Sequence, residues 1–99
     1  MNIQFTARHF EASTELKNYC EDSVAKLKLF YDRIVSCSIV LNPNADNDNP
    51  QQAEIIIQIP NKVLTASEKA PKYEQAVLAA VENLSRQLKR YKEKKFSTH

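Results

Sequence analysis

Six cations crowd into ten residues near the end of the chain. Arg86, Lys89, Arg90, Lys92, Lys94 and Lys95 lie within residues 86–95, opposed only by Glu93. That segment carries +5, whereas the rest of the chain, with 8 basic and 11 acidic residues, carries −3. Like charges at this density repel unless a counter-charge arrives, so the chemistry they suit is the binding of a polyanion. With about 100° of rotation per residue, Arg86, Lys89 and Arg90 fall opposite an apolar stripe of Tyr73, Val77, Ala80, Val81, Leu84, Leu88 and Tyr91. They point into solvent if that stripe packs. Lys92, Lys94 and Lys95 continue the field past the last packed turn, and Tyr91 either ends the packing or offers its ring to a base. A solvated helix face is the competing explanation, with Glu82 paired to Arg86 at i,i+4 and the late cations complementing the helix dipole. It accounts for part of the charge but not for its density.

A weaker basic patch belongs to an earlier helix. Lys17 and Lys28 lie near one azimuth, Lys26 and Arg33 flank the helix end, and Arg8 and His9 occupy the turn that enters it. Taken singly, each is an ordinary surface residue, and His9 reads as a turn residue rather than an acid–base group. The other constellations are missing. A chain without glycine has no Gly-rich phosphate loop. Asp46-Asn47-Asp48 resembles the start of a calcium loop, but Ile57 stands where the closing Glu belongs. Cys20, Cys37, His9 and His99 have no finger-like spacing, and both thiols fall in apolar-periodic segments where cysteine acts as a buried, reduced hydrophobe. No cofactor, metal or small-molecule substrate is expected, and the chain does not read as an enzyme.

These groups must be positioned by 99 residues, 42% of them hydrophobic, which suffices for a single domain spanning 1–99. Asn2 to Arg8 alternates with Ile3, Phe5 and Ala7 inward, as in a half-buried strand. Ser13 is a candidate N-cap, and Leu16, Cys20, Val24, Leu27 and Phe30, widened by Tyr19 and Tyr31, predict a helix to about Tyr31. Arg33 to Asn42 is a second strand with Val35, Cys37, Ile39 and Leu41 on one face. The Asn-, Asp- and Pro-rich stretch from about 43 to 51 reads as a flexible loop. Glu54 to Ile59 and Val63 to Ser67 form a hairpin about Pro60-Asn61, and Pro71 suits the first turn of a closing helix that runs to about Lys92. A basic tail covers about 93–99. The order β-α-β-β-β-α predicts an α+β two-layer sandwich, a four-stranded sheet with both helices on one face. The first two strands, if parallel, need a right-handed crossover. No apolar run reaches the roughly 18 to 20 residues that cross a bilayer, and Met1 to Phe10 lacks a secretory pattern, so the chain is expected in the cytoplasm, away from membranes.

The segment Leu84-Ser85-Arg86-Gln87-Leu88-Lys89-Arg90-Tyr91-Lys92 resembles the closing helix of the ribosome hibernation-promoting factors, also called the ribosome-associated inhibitor or sigma-54 modulation protein family. Ser13-Thr14-Glu15-Leu16, Ala25-Lys26-Leu27, Tyr31-Asp32-Arg33-Ile34, Ala53-Glu54-Ile55 and Leu64-Thr65-Ala66-Ser67 fall in the family's order. The resemblance therefore spans almost the whole chain. It implies a domain similar to double-stranded-RNA-binding domains with an extra leading strand, bound between the head and body of the small ribosomal subunit. There it would contact rRNA of the assembled ribosome where messenger and tRNA otherwise sit. The RNA-facing cations then carry over onto Arg86, Lys89, Arg90, Lys92 and Lys26, with Lys28, Arg33, Arg8 and His9 as additions. Lys72 and Glu74 depart from the Asp and Tyr common at the opening of the last helix, and Ala7 replaces a common turn glycine. Ending at His99, the chain looks like a short form, which implies a free monomer that favours pairing of idle ribosomes in stationary phase. A generic reader of duplex RNA and a protein-interaction module acting on transcription are the alternatives.

Overall fold

The computed structural model describes the backbone of residues 1–96 and the side chains of residues 1–94. Strand β1 (Asn2–Ala7) leads into helix α1 (Thr14–Ala25), a 3₁₀ turn (Lys26–Leu29), strands β2 (Ser36–Pro43), β3 (Gln51–Ile59) and β4 (Lys62–Ala70), and helix α2 (Tyr73–Phe96). The sheet order is β1-β2-β3-β4, with β1 parallel to β2 and the remaining pairs antiparallel. Alternation decides which face is covered. Cys37, Ile39 and Leu41 of β2, Ala53, Ile55, Ile57 and Ile59 of β3, and Leu64 and Ala66 of β4 are buried under the stripes of both helices. Their strand neighbours form an open face on which Gln4, Ser38, Ile56 and Thr65 share one row of the register. The expected two-layer α+β sandwich is the architecture found.

Local chemistry sets the ends of these elements. Ser13, in extended conformation, accepts a hydrogen bond from Leu16 N at 3.1 Å and starts α1. That helix gives way to the 3₁₀ turn at Lys26, five residues before the expected α-helical limit, and at the end of the turn Phe30 N and Tyr31 N both donate to Leu27 O. Helical periodicity lapses there. Tyr31, rather than Phe30, therefore goes into the core, and Phe30 stays 38% exposed. Val35 is also outward, at 57% exposure, although its sequence parity with Cys37 predicted an inward side chain. Its pleat does not extend back from β2, because residues 32–33 form a turn that buries Ile34 instead.

The loop predicted over 43–51 contracts to 44–50, since Pro43 already pairs with Gln51. Asn44 N donates to Pro50 O at 2.7 Å, and Asp46 Oδ1 accepts from Asp48 N at 2.9 Å, the side-chain turn that Asp favours. With no glycine in the chain, His9 and Asn61 take the positive backbone angles, each with φ of 67°. Pro60 followed by a left-handed Asn61 is a type II combination, which explains how the hairpin closes without glycine. Helix α2 begins at Tyr73, just past Pro71, and Tyr73 N donates to Gln51 Oε1 at 2.6 Å. A side chain from β3 thus supplies the cap that no residue preceding the helix provides.

Candidate nucleic-acid interface

Helix α2 is anchored by apolar burial and aimed by polar contacts. Val77, Ala80, Leu84 and Leu88 are fully buried, and each large aliphatic side chain so placed contributes about 1.5–3 kcal/mol. One flank is fastened to β4, where Asn83 Nδ2 donates to Glu68 Oε2 at 3.1 Å and Gln87 Nε2 donates to Thr65 O at 3.0 Å. Rotation about the helix axis is thereby fixed. Near its end Tyr91 meets Tyr31 edge-on, with ring centroids 5.8 Å apart and planes at 84°, and Lys62 Nζ lies 5.7 Å from the Tyr91 centroid. Tyr91 therefore closes the packed seam.

Arg86, Lys89, Arg90 and Lys92 are all exposed. Among the described residues no ion pair or hydrogen bond engages their side chains, so the Glu82–Arg86 pairing that would have made an ordinary solvated face does not form. The expected basic tail continues α2 through residue 96. The side chain of Lys95 and residues 97–99 lie outside the described residues.

The structure also adds cations that are distant in sequence. A groove of about 450 Å³ between the 3₁₀ turn and α2 is lined by Lys28, Arg33 and Lys92 together with Leu29, Phe30, Tyr31 and Asp32. A smaller one of about 210 Å³, on the β4 side, holds Lys62, Arg90 and Lys94 around Leu64, Gln87 and Tyr91. The two weaker candidates Lys28 and Arg33 thus join the strong ones. Lys26, exposed at the start of the 3₁₀ turn, lies beside them in the chain but does not line the groove. Lys62 was missed by sequence reasoning. Its signal was the tight hairpin, which pairs Ile59 with Lys62 and so puts that ammonium at the end of the sheet where α2 finishes.

Arg8 and His9 are elsewhere. Arg8 N donates to Leu41 O at 2.9 Å, and its side chain borders a shallow polar depression on the open sheet face with Asn42, Gln52 and Glu54. Phe10 stacks on Tyr73 at 4.8 Å, placing this turn at the start of α2, eighteen residues and about 27 Å of helix from Tyr91. The structure does not bring these two candidates into the basic end.

Neither thiol is poised for chemistry. Burial pushes Cys20 and Cys37 up to about 12, with Glu74 and Glu21 adding to the effect at Cys20. Among the described residues, no three His, Cys, Asp or Glu side chains gather as a metal site requires, and no helix is long and apolar enough to cross a membrane.

A four-stranded sheet carrying two helices on one face, with exposed cations where the second helix ends, describes an α+β domain with one basic end. The chain belongs to the Sigma 54 modulation protein / S30EA ribosomal protein family, whose model matches residues 3–95. It is 26% identical over 97 residues to a ribosome hibernation promoting factor of Pseudomonas putida, covering 98% of this chain and 92% of that protein. A ribosome hibernation promotion factor of Bacillus subtilis is 24% identical over 94 residues, which span 95% of this chain but 50% of the longer relative. Among solved structures, the N-terminal domain of Thermus thermophilus Protein Y superposes with a TM-score of 0.80 at 26% identity, covering 92% of this chain and 99% of that one. A ribosomal subunit interface protein from Coxiella burnetii shares the fold, with a TM-score of 0.82 at 20% identity over 93% of this chain and 98% of its own.

Proposed function

We propose that this chain is a ribosome hibernation factor that binds the small subunit at the tRNA and messenger cleft through the basic end of α2. Bound there, it blocks translation in stationary phase by occlusion and promotes pairing of idle ribosomes. No bond is made or broken, no cofactor takes part, and the free protein is a cytoplasmic monomer. The observation that carries this reading is the exposure of Arg86, Lys89, Arg90 and Lys92 along the second half of α2, with Lys28 and Arg33 brought beside Lys92 and Lys62 brought beside Arg90. Cations that lack carboxylate partners retain their capacity for phosphate oxygens, and each phosphate neutralised releases counterions. The names of the relatives in Pseudomonas putida and Bacillus subtilis, both ribosome hibernation factors, point to the ribosome as the polyanion.

Sedimentation of ribosomes through sucrose, with the protein added at several salt concentrations, tests this. Co-migration with the small subunit, appearance of ribosome pairs and a steep loss of binding with salt are expected. Equal affinity for an arbitrary RNA duplex and for intact small subunits would instead identify a generic reader of A-form RNA.

A further inference from the structure

We propose that the groove between the 3₁₀ turn and the end of α2 is a pocket for one unstacked nucleotide of single-stranded RNA. The inference deepens the ribosome-binding reading above and rests on it for the source of the RNA. The groove's volume of about 450 Å³ falls within the roughly 300–1,000 Å³ of small-ligand clefts, enough for a base with its sugar but not for a duplex. Its walls are of two kinds. Leu29 is 84% exposed and Phe30 38%, adjacent large apolar groups that the protein's own core leaves open. Lys28, Arg33 and Lys92 stand around them, two from the segment at the 3₁₀ turn and one from α2. An exposed leucine alone is unremarkable. An aromatic face and an aliphatic wall ringed by three cations are what a nucleotide needs, its base on the ring and its phosphate among the charges.

Asp32 refines the fit. One carboxylate in a cationic recess repels phosphate from its own wall while accepting hydrogen bonds from a base amino group or a ribose 2′-hydroxyl. The floor of the recess includes the largely buried Tyr31, whose ring meets Tyr91 edge-on and whose hydroxyl has no hydrogen-bond partner among the described residues. The wall bearing Phe30 is thus continuous with the packed seam and is already formed before a ligand arrives. Bases inside an A-form helix are stacked and cannot enter such a recess, so the pocket selects single-stranded or bulged RNA.

The test uses the full chain, a short single-stranded RNA carrying one fluorescent purine analogue, and the same RNA annealed to its complement. At low salt the single strand should bind with a change in the analogue's fluorescence, and the duplex without one. Phe30→Ala should weaken single-strand binding about tenfold and abolish the fluorescence change, whereas Phe30→Trp should retain both. Arg33→Ala should lower the salt slope by about one with the fluorescence change kept. Circular dichroism establishes that each variant is folded. Equal single-strand affinity and signal for Phe30→Ala and the parent would overturn the pocket. So would loss of ribosome association by Phe30→Ala with RNA affinity unchanged, because the recess would then hold a protein segment. If the RNA signatures appear but the parent does not co-sediment with ribosomes, the pocket stands and the ribosome-binding reading fails.

Discussion

The two ends of α2 are built from similar materials and arranged to opposite effect. At its start, around Tyr73, polar and aromatic groups satisfy one another. Phe10 stacks on Tyr73 with planes 6° apart, Gln51 caps the helix, and the 44–50 loop is closed by its own Asn and Asp side chains. At its finish, around Tyr91, the aromatic pair is likewise packed, but the cations around it engage no carboxylate among the described residues. A side chain whose hydrogen-bonding capacity is consumed within the fold stabilises the fold, and one whose capacity is left over is available to a partner. The contrast separates residues that sequence placed in one candidate set. Arg8 and His9 lie beside the satisfied end, although among the described residues no hydrogen bond engages their own side chains, and Arg86, Lys89, Arg90, Lys92, Lys28 and Arg33 lie toward the available one.

Mutation at the available end carries the largest expected effect. Changing Arg86, Lys89 and Arg90 together to Ala should weaken association with small subunits by roughly a hundredfold or more, since a hydrogen bond to a charged group contributes about 1.5 kcal/mol or more. The salt slope should fall by about three units while the denaturant midpoint holds. Unchanged binding by the folded triple variant would remove the assigned surface.

A second test asks whether both ends hang from one core. Cys20 and Cys37 keep their protons in the folded chain up to about 12, whereas an unfolded chain releases them near 9.0. The folded state therefore holds more protons above that lower value, and its stability falls as pH rises through this window, by about 3 kcal/mol for the two thiols by about pH 10. Urea titrations at neutral and alkaline pH measure it, and loss of near-ultraviolet signal from the tyrosines of both ends should coincide. Flat stability between these conditions would contradict the burial of the thiols.

Smaller effects sharpen the satisfied end. Gln51→Ala removes the cap on Tyr73 N and should cost about 1 kcal/mol in urea denaturation without changing ribosome association. His9→Gly relieves a left-handed backbone that costs a residue with a Cβ about 1–2 kcal/mol, offset in part by the freer unfolded chain, for a net gain near 0.5 kcal/mol. Ribosome association should be unaffected. A marked loss of binding on His9→Gly would return that turn to the interface.

Much of the fold was legible because its code is local. Period-2 alternation in β2 and β3 named the buried face, the stripe from Tyr73 to Leu88 named the packed side of α2, and Pro60-Asn61 named the hairpin. The misreadings fell where periodicity lapses. Val35 and Phe30 sit one residue beyond a strand start and a helix end, and their parity no longer reports on burial.

The chain's order of residues by itself determined that a helix would end with one apolar side and a dense positive charge, because side-chain direction on a helix follows from position alone. Which distant groups would meet that charge was decided by tertiary structure. Lys28 and Arg33 reach Lys92 because Tyr31 packs on Tyr91, and Lys62 reaches Arg90 because β4 starts beneath the helix end. Arg8 and His9 were carried to the far end for the same kind of reason. A parallel β1–β2 pairing fixes where β1 finishes, and register between strands is a property of the assembled sheet rather than of any one segment.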